Sequence, residues 1–468
     1  MISRRAALLG GAAGVVAAGA GGVWLATREK PEPPAPPSVD GEGRLLWRNW
    51  SGVEHSYPTS RLAPASEAEA AEALKTAPAP VRVVGAGHSF TALVPTSGAL
   101  MTLDQLAGVA GWEGDEALVW AGTRLGALGP ALAEKGLAMP NLPDINKQSL
   151  GGAMGTATHG TGVKLGAIHS DARMLRLATA DGQVIECDAE REPDVFQAAK
   201  VSMGALGVIT QVRLATSPNR RLHRKVWVEP LEETLAQAEA RWAAHRNFEF
   251  YAVPFTDLCA NITHDETDAP AMAAKASSDD AFLEALRQLR NLTGFSTPLR
   301  KAAAKALLSG VEPEEAIDEG WKLLSTERPV RFNEMEYHLP TDAQLPALRE
   351  VLEAIETSRP DVFFPIELRR IAADEAWLSP FQGGPRGSIA IHAYYKDDHA
   401  FLFSLVEPIL RRHGGRPHWG KLHSLKAAEL AALYPNWNDF LEVRRRLDPQ
   451  GRLLNPYLRA LFGVQAGG

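Results

Sequence analysis

The sequence predicts an α+β fold in two parts, and three observations carry that prediction. Its 468 residues are 45% hydrophobic, enough for two or three domains at about 100 to 200 residues each. Up to about Pro218, short strand and helix signals alternate around two glycine-rich loops, as in a unit that grips a large ligand. From about Arg221, helical stretches are interleaved with alternating strand sequence, which predicts a mainly antiparallel sheet backed by helices. The expected divisions are residues 1–28, a leader; 29–43, a proline-rich linker; 44–218, a ligand-binding domain; and 219–468, a second domain with a C-terminal segment that returns to the first.

The leader opens Ser3-Arg4-Arg5 and runs through glycine and alanine to Ala26 with no acid before Glu29, the pattern of a twin-arginine export signal. Its other reading is a single membrane anchor, since about 20 apolar residues span a bilayer. Either way the globular part is expected outside the cytoplasm, periplasmic or membrane-anchored, with the twin-arginine export machinery as a partner. After the linker, ASEAEAAEALKTA reads as a helix capped by serine and glutamate. VRVVGAGHSF is a strand that ends in a loop, and ALMTLDQLAG, EALVWAGTRLGAL and ALGPALAEKGLAM alternate strand and helix. ATADGQVIECD predicts a hairpin on its Asp-Gly turn, and GALGVITQVRLATSP a strand opened by glycine. In the second part, LEETLAQAEARWAAH and DDAFLEALRQLRNLTG predict helices, and RFNEMEYHLP, DVFFPIELRRIA and SIAIHAYY predict strands. Residues 265–328 read as a solvated helical insertion.

A net charge of −7 with both signs scattered leaves no basic stripe for nucleic acid. Two cysteines, Cys187 and Cys259, exclude a disulfide framework and a multi-thiolate metal site. They are expected as buried small hydrophobes, and no metal is expected.

VRVVGAGHSF fails as a dinucleotide fingerprint. Gly85 and Gly87 are in place, but the third glycine position holds Phe90, and Pro95 interrupts any helix that would follow. What remains is a tight loop of backbone N–H groups at Gly85, Ala86, Gly87, His88 and Ser89, able to cradle phosphate. The second run, PNLPDINKQSLGGAMGTATHGTG, offers Ser149, Gly151, Gly152, Thr156, Thr158, His159, Gly160 and Gly162 as small donors and closely approachable backbone. Two such loops in one unit suggest one ligand held from both sides.

In the second part, Glu367 and Arg369 stand two apart on a strand and so share a face, opposite Ile366, Leu368 and Arg370. Likewise His392 shares a face with Tyr394, and RPHWGKLH sets His418 and Lys421 in a glycine-containing turn beside Trp419. Spacing alone reads these as an ion pair and surface charge.

GAGHSF, the SLGG and THGTG run, GALGVIT, ELRRIAADEAWLSP and RPHWGKLH together resemble the FAD-linked oxidoreductases of the vanillyl-alcohol oxidase fold. The specific likeness is to the aldonolactone oxidase and alditol oxidase group, and it runs from Asn49 to Asn455. The resemblance implies a two-subdomain PCMH-type FAD-binding domain followed by an arabinonolactone-oxidase-type substrate domain. It implies FAD held covalently through His88, with Gly207, Ile209 and His418 also near the cofactor. Glu367, Arg369, His392 and Lys421 then line the substrate side. Lys421 and Arg369 donate to the substrate oxygen and the flavin edge, Glu367 orients hydroxyls, and His392 is a hydrogen-bonding or proton-accepting group. The implied reaction is oxidation of a CH–OH group of a gulono-, galactono- or arabinono-1,4-lactone; the alternatives are oxidation of an alditol such as xylitol or sorbitol, and a non-catalytic sugar- or flavin-binding protein. The chain departs from the family pattern at Pro143 and Asp144, where its members carry a small residue before serine. That leaves molecular oxygen and another electron acceptor both open.

Overall fold

The computed structural model describes residues 31–273, 279–308, 312–326 and 330–465. The leader, residues 1–28, lies outside the described residues. Among them, no helix is long and apolar enough to cross a membrane.

Among the described residues, three larger sheets organise the fold. The strands Ser60–Leu62, Ala99–Thr102 and Val81–Val84 form a small parallel sheet with Ala99–Thr102 at its centre. The helix Glu67–Thr76 precedes Val81–Val84; the Ser66 hydroxyl accepts from the Glu69 amide at 3.2 Å, the cap its sequence predicts. A five-stranded antiparallel sheet follows, in the order Val184–Asp188, Ala172–Ala178, Val208–Leu214, Glu116–Trp120, Val109–Glu113. Its first two strands are the predicted hairpin, turned at Gly182 with φ +87°. Together the two sheets are the two-subdomain arrangement expected of a PCMH-type FAD-binding fold.

The third sheet has eight strands, in the order Glu314–Glu319, Arg221–Pro230, Leu258–Thr267, Asn247–Val253, Ile366–Ile371, Arg386–Tyr394, Phe332–Pro340, Arg416–Pro417. Every pairing in it is antiparallel. Pro218 stands between the last strand of the five-stranded sheet and the first of this one. One face packs on the helices Leu231–Ala244 and Gln344–Ser358, with Trp242 against Phe248 and Phe250. The other face carries Glu249, Tyr251, Glu334, Glu336 and Glu367, and looks into a cleft toward the first two sheets.

The chain end closes the structure. Asn455 donates to the carbonyls of Ala92 and Pro95 at 2.8 and 2.9 Å, and Arg452 to those of Leu74 and Ala77. Buried Arg82 donates to four carbonyls, those of Leu93, Met203, Gly204 and Leu453, and so ties three segments together.

Residues 265–328 are not the solvated insertion expected from their acidic, alanine-rich composition. The helices Asp279–Thr293 and Thr297–Leu308 bury Arg290 and Arg300, and Glu314–Glu319 joins the large sheet. Both guanidinium groups donate to carbonyls of residues 360–362 and stack on Phe363 and Phe255, which makes their burial tolerable. Cys187 and Cys259 are both buried and free.

Candidate active site

One continuous cavity of about 710 Å³ lies between the large sheet and the first two sheets. The GAGHSF loop forms one wall because Val81–Val84 ends there and Gly87 takes φ +68°, a turn that residues with a Cβ resist. A Cβ on Gly85 would collide with the Ser149 hydroxyl, so the two glycine-rich loops meet at this point. The loop is also pinned from the far domain: the Phe90 amide donates to the Gly420 carbonyl at 2.7 Å and Thr91 Oγ1 to the Trp419 carbonyl at 3.0 Å. His88 lies 5.2 Å from the Trp50 ring, centroid to centroid. Burial, then Lys421 and Arg124, lower its pKa to about 4, so it is neutral at physiological pH.

All the expected cofactor neighbours except Gly160 and Gly162 line the cavity. These two correct the sequence reading. A Cβ at Gly160 would strike the Leu142 carbonyl, and the Gly162 amide donates to the Arg370 carbonyl at 2.7 Å. Their smallness serves close backbone packing, not a ligand. Ser149 to Gly155 is not all loop either, because Leu150–Gly155 is a short helix.

His159 is a buried neighbour with both ring nitrogens engaged, Nδ1 with the Gly160 carbonyl and Nε2 with Glu336, each at 2.9 Å. Burial alone would raise the Glu336 carboxyl, yet His159, His418 and His338 around it hold it well below the usual range. His418 accepts from the Gly420 amide through Nδ1 at 3.0 Å, and burial lowers it to about 3. It shapes the turn that presents Lys421.

On the opposite wall, Arg369 is ion-paired with three carboxylates, Asp144, Glu249 and Glu367. Glu249, Glu367 and Arg369 are each less than 8% exposed. One cation among three carboxyls, two of them buried, cannot balance them, which favours the neutral form of one of the three. Burial, opposed by Arg369 and reinforced by Asp144, Glu249 and Glu334, raises Glu367 well above the usual range. Tyr251 donates to Glu367 at 2.8 Å. Beside this group Lys421 is paired with Glu334, whose other oxygen lies 3.7 Å from His392 Nε2. His392 Nδ1 donates to the Pro365 carbonyl at 3.2 Å, a tautomer that leaves Nε2 as the acceptor. Glu367, Arg369, His392 and Lys421 are thus brought together as expected, with a carboxyl pushed toward its neutral form, two cations and an imidazole around one space.

A family model described as D-arabinono-1,4-lactone oxidase matches residues 212–461, and one described as an FAD binding domain matches residues 58–188. The chain belongs to the D-arabinono-1,4-lactone oxidase family. This family member is 36% identical over 427 residues to the L-gulono-1,4-lactone dehydrogenase of Mycobacterium tuberculosis, covering 89% of the chain and 99% of the relative. It is 31% identical to the L-gulonolactone oxidase of Mus musculus, covering 91% of the chain and all of the relative. A cholesterol oxidase from B. sterolicum has the same fold, with a TM-score of 0.75 at 15% identity over 92% of this chain and 99% of that one. The lactone oxidase family member is therefore an FAD-dependent oxidoreductase. Its cavity fits the cofactor: two glycine-rich loops that touch at Gly85 and Ser149 line it, and the first of them presents the neutral His88.

Trp50, Glu249, Tyr251, Glu334 and Glu336 also line the cavity and were not anticipated. Four of them had a readable signal. In RFNEMEYHLP, Glu334 and Glu336 alternate with buried Met335 and Tyr337, and in NFEFYAV, Glu249 and Tyr251 alternate with Phe248 and Phe250. Charges at period two in strands this apolar mark a face that is buried for a purpose.

Proposed function

We propose that this enzyme oxidises a ring carbinol of an aldonolactone of the gulono-, galactono- or arabinono-1,4-lactone type, with FAD tethered through His88. The observation that carries this reading is the Glu367, Arg369, His392 and Lys421 constellation, which faces the two glycine-rich walls across one cavity. FAD, when bound, supplies the hydride-accepting centre. Lys421 and Arg369 donate to the substrate oxygens and hold the carbinol in place, in a site dry enough for charge to act strongly. Glu367, holding its proton, donates to a second substrate oxygen. His392 Nε2 receives the hydroxyl proton, and Glu334 beside it stabilises the resulting imidazolium while fixing Lys421. Uncharged lactones suit this arrangement, because a sugar carboxylate would meet Glu334, Asp144 and Glu249.

Turnover of an aldonolactone panel against linear polyols such as xylitol and sorbitol, at equal flavin content, tests the substrate assignment. Polyols alone being turned over would make the enzyme an alditol oxidase. Acid precipitation tests the tether: yellow colour should stay in the pellet of the parent protein and move to the supernatant with His88→Ala. Peroxide yield in air, compared with reduction of an artificial dye, separates oxygen from another acceptor. We also infer export by the twin-arginine route, supported by the Arg4-Arg5 leader and by a fold that encloses its cofactor. Arg4→Lys with Arg5→Lys should hold the protein in the cytoplasm.

A further inference from the structure

Past the loops assigned to FAD and the Glu367 and Lys421 group, the cavity continues along the large sheet. Register across the large sheet traces the extension. Glu367 pairs with Tyr251, Tyr251 with Ala260, and Ala260 with Val228. One row along, Glu249 pairs with Ile262 and Ile262 with Val226. All these side chains stand on the cleft face, so the floor changes from charged to aliphatic within two strands. At about 4.8 Å per strand, the aliphatic floor lies about 10 to 14 Å from Glu367.

The helices Asp279–Thr293 and Thr297–Leu308 roof this part, with Phe282 and Leu307 facing the same cavity. Val226, Val228, Ala260 and Ile262 are only half-buried although they sit mid-strand in an eight-stranded sheet. Arg224 and Glu314 also line this end, which makes it an apolar belt between polar limits. A surface of this kind gains from a ligand that covers it, and a bare lactone held at Glu367 and Lys421 is too short to reach it.

We propose that this chamber is a second subsite that takes an apolar chain carried by the sugar substrate, remote from the oxidised carbon. The inference rests on the lactone-oxidising reading above. The polar head sits against Glu367, Arg369 and Lys421, and the chain lies on the aliphatic floor under the two helices. Binding of that remote part then positions the carbinol.

The test uses the FAD-loaded enzyme with L-gulono-1,4-lactone and its 6-O-ethyl, 6-O-butyl and 6-O-octyl ethers. Affinity is read from the perturbation of the flavin spectrum immediately after rapid mixing, before hydride transfer bleaches it, and turnover is read separately. The expected result is affinity rising with chain length, by at least about tenfold from ethyl to octyl. Ala260→Trp, which fills the chamber, and Val226→Asp, which charges it, should each abolish that rise and leave the parent lactone's kcat/KM within about twofold. Affinity that is flat or falling with chain length overturns the proposal. So does a chain-length effect that survives in both variants. Because affinity is measured apart from turnover, failure of every lactone to reduce the flavin would refute the catalytic reading alone.

Discussion

Lys421 is held at a point where two demands meet. Its ammonium lies 5.1 Å from the centre of the Phe90 ring on the cofactor wall and pairs with Glu334 on the substrate wall. Lys421→Met keeps most of the stem but removes the cation, and should lower the rate of flavin reduction by about 10²- to 10³-fold with little change in flavin content. Rapid mixing of enzyme and lactone without oxygen reads that rate. Glu334→Gln should act differently. With the counter-charge of the His392 imidazolium gone, proton acceptance weakens, and the acid limb of the kcat/KM profile, where His392 becomes protonated, should shift to lower pH, as for an imidazole without its carboxylate. A pH profile unchanged by Glu334→Gln would remove Glu334 from the proton path.

Most elements are legible in the sequence because each follows a local rule. The cap at Ser66, the Asp-Gly hairpin and the alternation of FPIELRRIA are all readable, and the period of two in the last is enough to put Glu367 and Arg369 on one face of their strand. What is not legible depends on contacts between distant segments. Gly160 and Gly162 resemble the glycines around them, and only the approach of the Leu142 and Arg370 carbonyls shows that they pack backbone. Nothing in the composition of residues 265–328 reveals that Arg290 and Arg300 find carbonyls 60 to 71 residues away. Arg82 is the same case within VRVVGAGHSF, a polar residue whose partners lie up to 371 positions distant. Arg82→Met would leave four buried carbonyls short of a donor, and should cost about 2 to 4 kcal/mol of stability. A lowered unfolding midpoint in denaturant, with loosened flavin in the acid-precipitation assay, is the expected outcome.

At the scale of the whole molecule, buried imidazoles set the response to acid. Burial lowers His88 and His423 to about 4, and His264 and His418 to about 3, from the usual 6.5. Between pH 6.5 and about 4 the unfolded chain binds protons at these rings that the folded chain refuses. Stability therefore falls as pH is lowered through that window, by about 1.4 kcal/mol per pH unit for each ring. Asp171, raised by burial to about 7, and Glu367 and Glu54, also raised by burial, work the opposite way, but they stand against these four rings and the likewise lowered His338 and His399. Thermal unfolding at pH 7, 6 and 5 should show a steep decline, and a midpoint flat over that range would contradict it. The same enclosure that excludes protons forms the reaction space, with cofactor loops on one side and the Arg369 and Lys421 cations on the other. The most direct test of that arrangement is to mix the flavin-loaded enzyme with L-gulono-1,4-lactone under anaerobic conditions and follow the yellow absorbance. Rapid bleaching by the lactone, strongly slowed in Lys421→Met, is the expected result; an oxidised flavin that no aldonolactone bleaches, in a protein that a linear polyol does bleach, would contradict it.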